Sequence, residues 1–293
     1  KLVGDTFDAS KNAAIDYSGK NGAAFIHPFD DPQIIEGQAT LAMEILEQTN
    51  EKIDYVFVPI GGGGLLAGIV TVFSVLSPDT KIIGVEPKGA ASMRASIDAG
   101  YNVELPKIDK FVDGAAVQKV GDLTFEICKD YISDCISVDE GKICETILEM
   151  YNKDAIVLEP AGALSISALE QYQEMIKGKN VVCIVSGSNN DITRMEEIKE
   201  RALLYKGVKH YFLVKFPQRP GSLKEFVLDV LGENDDIAFF EYTKKNSRET
   251  ALATVGIELA DASDFEGLIQ RMKERGYFET YLNDSPNILN ILV

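Results

Sequence analysis

Residues 55–65 read YVFVPIGGGGL, a short apolar strand followed by four glycines and the first residue of an apolar helical stretch. Glycine in a regular element costs about 0.5–1 kcal/mol relative to alanine, so four in succession indicate that the bare backbone has a use. Consecutive glycines let peptide N–H groups converge, and the following helix adds the positive end of its dipole. The pattern predicts an anion site, most naturally for a phosphate, formed by Gly61, Gly62, Gly63, Gly64 and Leu65. A flexible turn or close helix packing is the alternative.

Apolar strand-like runs alternate with longer helical patterns through the first two thirds of the chain. The predicted strands are Tyr55–Ile60, Lys81–Glu86, Cys135–Val138 and Asn180–Val185. The predicted helices are Gly37–Gln48, Leu65–Leu76, Ala90–Ala99, Gly141–Lys153, Ala161–Ile176 and Asp191–Tyr205. This alternation predicts an α/β domain whose parallel or mixed sheet carries helices on both faces. Ligands of such sheets bind at the carboxyl ends of the strands, where the four glycines lie.

The pattern changes close to residue 206, so we predict one domain over residues 1–205 and a second over residues 206–293. The second part reads strand, helix, strand, strand, helix, strand. These segments are His210–Phe216, Gly221–Leu231, Ile237–Lys245, Thr250–Leu259, Ser263–Arg275 and Tyr277–Leu282. Their order predicts a small α+β domain with the ferredoxin-like arrangement.

The composition narrows the range of partners. The chain has 29 Lys and Arg against 46 Asp and Glu, which gives a net charge of −17 and a pI near 4.6. An acidic surface repels nucleic acid and anionic membranes, so neither is predicted as a partner. The chain has no apolar run of the roughly 18 residues that a membrane span needs, and its start shows no secretory signal. We therefore expect a cytoplasmic protein.

The glycine run matches neither the G-x-G-x-x-G nor the G-x-x-x-x-G-K-[ST] pattern. It resembles the phosphate-binding turn of fold-type-II pyridoxal-phosphate enzymes, especially the serine and threonine dehydratases. Three more segments agree with that family in order and approximate spacing: Lys81–Pro87 (KIIGVEP), Leu158–Leu164 (LEPAGAL) and Val185–Asn190 (VSGSNN). The resemblance covers residues 1–205 and implies a tryptophan-synthase-β-like fold with pyridoxal 5'-phosphate as cofactor.

In this family, the first residue of the Ser-Gly-x-Asn turn faces the pyridine nitrogen of the cofactor, and the resemblance gives that role to Ser186. A serine hydroxyl donates a hydrogen bond but leaves the nitrogen essentially neutral, whereas a carboxylate would keep it protonated. The neutral ring withdraws fewer electrons, which favours loss of a β-hydroxyl over transamination. Alternatively, Ser186 only caps the helix near Asp191.

Two family segments have no counterpart in this chain: Ser-x-Lys-x-Arg-Gly-Ala, which carries the Schiff-base lysine, and Ser-x-Gly-Asn-His-x-Gln-Gly, which binds the substrate carboxylate. The lysines near the matched motifs lie in unrelated contexts, namely Lys1, Lys20, Lys52, Lys81 and Lys88. We therefore assign no catalytic residue. We expect the chain to represent an incomplete polypeptide that is inactive by itself.

Glu86, the carbonyl of Ala90 and the side chain of Ser92 resemble the oxygen-rich cation site of some relatives. Such oxygen ligands suit a monovalent or divalent cation. A plain loop carboxylate at Glu86 is the alternative. Asp113 and Glu159 are expected only to line the active-site region.

Residues 216–223, FPQRPGSL, join the first strand of the second domain to its first helix. The turn at Pro220, Gly221, Ser222 and Leu223 leaves helix N–H groups free for the carboxylate of an amino acid. The segment resembles the Pro-Gly-x-Leu feature of ACT-like regulatory domains, and a single copy is similar to the short form of biosynthetic threonine dehydratases. The resemblance implies isoleucine as effector, valine as a candidate antagonist, and a homotetramer. A purely structural role in oligomerisation is the alternative.

The resemblance implies a parent protein that is a pyridoxal-phosphate-dependent lyase. Its reaction would convert L-threonine to 2-oxobutanoate and ammonia in the first step of isoleucine biosynthesis, with L-serine as a second candidate substrate. The rival enzymes are serine dehydratase, threonine synthase and relatives of cysteine synthase. Outside enzymes, the rival is a non-catalytic regulatory or assembly protein without a Schiff-base lysine.

Overall fold

The computed structural model describes residues 2–4, 7–242 and 250–285, which form two compact units, Lys1–Ile198 and Lys199–Val293. The division falls inside the helix Met195–Tyr205 (α9), whereas the sequence pattern places it at the end of that helix. The second half of α9 belongs to the second unit because Glu200 bonds to Lys209 (2.5 Å) and to the Tyr211 hydroxyl (2.6 Å). The domain limits at 205 and 206 stay a prediction.

The first unit is built on a parallel sheet. Its strands are Tyr55–Pro59 (β1), Lys81–Pro87 (β2), Asp134–Val138 (β3) and Val181–Cys183 (β4), in the order β3-β2-β1-β4. Its helices are Phe7–Asn21 (α1), Pro32–Gln48 (α2), Gly64–Leu76 (α3), Ser92–Ala99 (α4), Asp122–Cys128 (α5), Glu140–Asp154 (α6), Pro160–Ser167 (α7) and Leu169–Ile176 (α8). All neighbouring strands in this sheet are parallel, so the predicted α/β class is confirmed.

Helices cover both faces of this sheet. Successive side chains of a strand point to opposite faces, so β1 shows both sides. In β1, Val56 and Val58 belong to the apolar core shared with α2 and α3. Phe57, between them, packs against Tyr172 of α8 with ring centroids 5.2 Å apart. The connections between parallel strands are right-handed. Connections that lead to opposite sides of the sheet therefore place their helices on opposite faces.

The direction of the chain reverses between β1 and β4. From β1 the chain proceeds to β2 and β3 on one side, and it returns to β4 on the other side of β1. In open α/β sheets, the crevice for ligands lies beside the carboxyl ends of the strands at such a reversal. The glycine loop follows β1 and the turn at 185–190 follows β4, so both leave the sheet at this point.

The second unit has the predicted ferredoxin-like arrangement. Its strands are Lys209–Pro217 (β5), Asp236–Tyr242 (β6), Thr250–Glu258 (β7) and Phe278–Tyr281 (β8), and its helices are Ser222–Asp229 (α10) and Phe265–Glu274 (α11). The antiparallel sheet has the order β6-β7-β5-β8, and its core joins Phe212 and Val255 to Phe226 of α10 and Leu268 of α11. The end of the predicted strand Ile237–Lys245 lies outside the described residues.

Within the part of the chain that the structure describes, the search for a helix of sufficient length and apolarity to cross a bilayer finds none.

Candidate active site

A cavity of about 360 Å³ lies at the carboxyl ends of β1 and β4. These strands are neighbours, with Tyr55 opposite Val181 and Phe57 opposite Cys183, so the segments that follow them leave the sheet side by side. The walls of the cavity include all six residues predicted to bind the cofactor: Gly61, Gly62, Gly63, Gly64, Leu65 and Ser186. The two predicted contact points therefore face one open space, while their roles toward a ligand stay a prediction.

The glycine loop is held by its peptide groups. Gly63, the residue before α3, has φ +92°, a left-handed conformation that favours glycine. The carbonyl oxygen of Gly62 accepts hydrogen bonds from the Thr124 hydroxyl (2.7 Å) and from the N–H of Gly121 (3.1 Å). This oxygen, which would repel an anion, is thus occupied by donors.

Asp30 supports the loop from the opposite side, a role that the sequence analysis did not identify. Its carboxylate accepts the N–H groups of Asp122 (3.0 Å), Leu123 (2.9 Å) and Thr124 (3.2 Å), which caps α5. The ring of the preceding residue, Phe29, lies so close to Gly62 that a Cβ there would be 2.2 Å from it. Asp30 therefore fixes both Thr124 and Phe29 against the glycine loop.

The Ser186 hydroxyl makes no hydrogen bond to the residues that the structure describes, and Ser186 is exposed at the cavity. The alternative role of helix cap belongs to Asp191, whose carboxylate accepts the N–H of Thr193 (2.9 Å) in front of α9. The hydroxyl is accordingly available to a ligand in the cavity.

The described residues of the cavity wall include carboxylates but no cation. Asp113 and Glu159 line it as expected, and the lining side chains among the described residues include neither lysine nor arginine. Arg194 lies behind the wall, where it donates to the carbonyl of Phe111 (2.7 Å) and lies 3.4 Å from Asp113. An anionic ligand would therefore be bound by backbone N–H groups, as the glycine run predicts.

Of the lysines set aside in the sequence analysis, the four that the structure describes do not line the cavity. Lys52 pairs with Asp79 (3.3 Å) and Lys88 with Asp139 (3.5 Å), both on the surface. Lys20 and Lys81 are likewise absent from the wall, and Lys1 lies outside the described residues.

Glu86 is fully buried in the sheet, away from the cavity. Its carboxylate accepts the N–H groups of Met93 (2.7 Å) and Arg94 (2.8 Å), which caps α4, and burial raises its pKa to about 7 despite these bonds. Ala90 and Ser92 are also buried, and the Ser92 hydroxyl has no hydrogen-bond partner among the described residues. These contacts give Glu86 a structural role. Cation binding at Glu86, Ala90 and Ser92 stays a prediction.

The second unit has its own cavity of about 340 Å³ at the start of α10. Its walls include the predicted effector residues Pro220, Gly221, Ser222 and Leu223 together with the rings of Phe216, Phe240 and Tyr242. Gly221, the residue before α10, has φ +87°. The cavity thus combines an apolar wall with the N–H groups of a helix N-terminus.

Comparison with known proteins agrees with both units. Residues 1–187 match the family of pyridoxal-phosphate dependent enzymes, and residues 200–292 match the C-terminal regulatory domain of threonine dehydratase. The biosynthetic L-threonine dehydratase of Halalkalibacterium halodurans is 52% identical over 292 residues, which is 100% of this chain and 70% of that protein. The chain belongs to the threonine dehydratase family. The predicted resemblance and the pyridoxal-phosphate class are thereby confirmed.

Further relatives of this dehydratase chain give the same result. The Bacillus subtilis biosynthetic L-threonine dehydratase is 51% identical over 292 residues, 100% of this chain and 69% of that protein. The solved structure of processed threonine deaminase isoform 2 from Solanum lycopersicum has a TM-score of 0.65 at 42% identity. That alignment covers 69% of the dehydratase chain and 59% of the tomato chain, so the chain spans less than two thirds of that relative. Maize serine racemase aligns with a TM-score of 0.61 at 30% identity, covering 69% of this chain and 63% of that chain.

The cavity of the dehydratase chain fits the family's cofactor. The glycine run leaves one wall without side chains at the start of α3, where a phosphate finds N–H donors. Among the described residues, the wall has no lysine or arginine that would bind a phosphate instead, and the Ser186 hydroxyl has no hydrogen-bond partner. Both ends of pyridoxal phosphate thus have a matching group on one cavity.

Proposed function

We propose that the protein containing this chain is a threonine ammonia-lyase that uses pyridoxal 5'-phosphate to convert L-threonine to 2-oxobutanoate and ammonia. The supporting observation is that the glycine loop and Ser186, which follow adjacent strands, line the same cavity. The names of the relatives, biosynthetic L-threonine dehydratases, support this substrate and a place at the start of isoleucine biosynthesis.

Different residues of the chain bind the two ends of the cofactor. The N–H groups of Gly61–Gly64 bind the phosphate and so anchor and orient the ring. When bound, the cofactor supplies an electron-withdrawing ring that stabilises negative charge at the substrate Cα. The Ser186 hydroxyl holds the ring nitrogen without placing a charge beside it, which favours loss of the β-hydroxyl. The segment with the Schiff-base lysine has no counterpart among these residues, so tests use the full-length protein.

We expect Ser186→Ala in the full-length protein to lower kcat for threonine about tenfold, because one hydrogen bond worth about 1.4 kcal/mol is lost. Ser186→Thr keeps a hydroxyl and serves as the control. The measurements are 2-oxobutanoate formation from threonine, pyruvate formation from serine, and the visible absorbance of the bound cofactor before and after borohydride.

A wild-type protein without a borohydride-reducible band would rule out the enzyme and favour a regulatory or assembly protein. A band with pyruvate formation from serine but no 2-oxobutanoate from threonine would favour a serine dehydratase. If kcat of Ser186→Ala equals that of the wild type while the band is present, the protein is still an enzyme, but the role assigned to Ser186 is wrong.

We further propose that the cavity of the second unit binds isoleucine, with valine as its competitor. The match to a regulatory domain of threonine dehydratase supports an effector site in this unit. The start of α10 suits the α-carboxylate of an amino acid, and Phe216, Phe240 and Tyr242 suit an aliphatic side chain. The homotetramer remains a prediction, which sedimentation of the full-length protein would test.

Phe240→Ala is expected to weaken isoleucine binding about tenfold, because losing one apolar wall costs about 1–2 kcal/mol. The matched control is Leu228→Ala on α10, whose side chain is 68% exposed and does not line the cavity. Calorimetric titration of the full-length protein with isoleucine, then with valine, measures both. If both variants lose the same affinity for isoleucine, or if Phe240→Ala binds it as the wild type does, this cavity has a structural role only.

A further inference from the structure

Glu159 connects two segments of the active-site wall. Its own N–H donates to the carbonyl of Gly187 (3.3 Å), and its carboxylate accepts the N–H of Asn189 (3.2 Å). Among the described residues, these two hydrogen bonds are the ones that join residues 186–189 to another segment of the chain. The turn that presents Ser186 is therefore tied to Glu159 at Gly187 and again at Asn189.

The fit between Glu159 and this turn is tight. A Cβ at Gly187 would lie 2.3 Å from a carboxylate oxygen of Glu159, and a Cβ at Gly162 would lie 2.1 Å from the carbonyl oxygen of Gly187. At Gly162 the close atoms are backbone, so glycine is needed there, whereas at Gly187 a Cβ would displace the carboxylate of Glu159. The start of α7 and the turn thus form one interlocked unit.

The carboxylate of Glu159 is not used by its own helix. Glu159 occupies the residue before α7, where acidic side chains often cap the helix, but it makes no such cap bond. Its carboxylate also approaches Gly114, at which a Cβ would lie 3.3 Å from it. The side chain is therefore committed to the turn and to the adjacent cavity wall.

We propose that Glu159 is a positioning residue that acts through Gly187 and Asn189 to fix the turn so that the Ser186 hydroxyl faces the cavity. The turn has no regular secondary structure, so without this anchor Ser186 would sample many orientations. Because a negatively charged acceptor bonds an N–H group more strongly than a neutral one, a carboxylate suits the task. The proposal rests on the proposed role of Ser186 toward the cofactor.

The test is a double-mutant cycle in the full-length protein with Glu159→Ala, Ser186→Ala and the double variant. We expect Glu159→Ala to lower kcat about tenfold with little change in KM for threonine. We expect the absorbance of the bound cofactor to change in the same direction as in Ser186→Ala. The double variant should be no slower than Ser186→Ala, because two residues acting as one unit are not additive.

Two further variants separate positioning from a general structural effect. Glu159→Gln keeps an acceptor oxygen and should restore most of kcat, and Glu174→Ala, an exposed carboxylate on the next helix, should behave as the wild type. Amide hydrogen exchange of residues 187–190, measured without cofactor, should be faster in Glu159→Ala. This readout holds even where the variant loses activity for another reason.

Multiplying effects in the double variant, about a hundredfold in total, would overturn the proposal. So would a raised KM with an unchanged cofactor absorbance and unchanged hydrogen exchange, which would indicate direct contact with the substrate. A wild-type protein that forms no cofactor band fails the proposed function itself, and that result is known before any variant is compared.

Discussion

Gly63→Ala should weaken pyridoxal-phosphate binding about a hundredfold. A left-handed φ of +92° costs a non-glycine residue about 1–2 kcal/mol. The new Cβ would also lie 2.8 Å from the Thr124 hydroxyl oxygen and 3.0 Å from its Cβ, so Thr124 must shift. That hydroxyl holds the carbonyl of Gly62 at 2.7 Å, so the peptide groups facing the phosphate shift with it. Losing aligned N–H donors to a charged phosphate costs about 3 kcal/mol, which corresponds to the hundredfold change.

Gly100→Ala is the matched control for this prediction. Gly100 ends α4 with φ +78°, and a Cβ there would meet nothing within 4 Å. Both variants therefore carry the backbone strain, but only Gly63→Ala carries the collision at the cavity. Fluorescence titration of the full-length apoprotein with pyridoxal phosphate should give wild-type affinity for Gly100→Ala. Equal losses in the two variants would attribute the effect to strain alone, and full affinity in Gly63→Ala would remove the phosphate site.

The elements that the sequence predicted well are those whose signal is local. The strand β1 and the helix α3 were predicted to within a residue or so, because an apolar run and a periodic run flank the four glycines. The glycines also predicted the cavity that they line, since a run of bare backbone between a strand and a helix favours an anion site. The same reasoning located the start of α10, where Pro220 and Gly221 mark the turn.

The elements that the sequence did not predict depend on distant contacts. The helix α5 is Asp122–Cys128, too short for an apolar period, and its cap comes from Asp30, far upstream. The helix α1, Phe7–Asn21, has no apolar stripe. The predicted helix Ala161–Ile176 is two helices, α7 and α8, which meet at Ala168 although every residue there suits a helix. The bonds from Glu159 to the Ser186 turn likewise join residues that only the fold brings together.

Glu86→Gln should remove a loss of stability that the wild-type protein shows between about pH 4.5 and 7. Burial raises the pKa of Glu86 from its ordinary value of 4.5 to about 7. Below pH 4.5 the folded and unfolded states both keep the proton, so stability is complete. As the pH rises further, the unfolded chain releases the proton first, so the free energy of unfolding falls until the pH passes the folded pKa. The shift of 7 − 4.5 corresponds to at most about 3 kcal/mol.

Urea unfolding of the full-length protein at pH 5, 6, 7 and 8 measures this difference between the wild type and Glu86→Gln. The control is Glu140→Gln, which removes a half-buried carboxylate that accepts the N–H of Gly89 at 2.7 Å and leaves Glu86 unchanged. A bound cation would stabilise the ionised carboxylate and so flatten the slope of the wild type alone. Repeating the series with added potassium or magnesium therefore tests the cation prediction at Glu86, Ala90 and Ser92. Parallel curves for the wild type and Glu86→Gln without added cation would show that Glu86 is ionised at all these pH values.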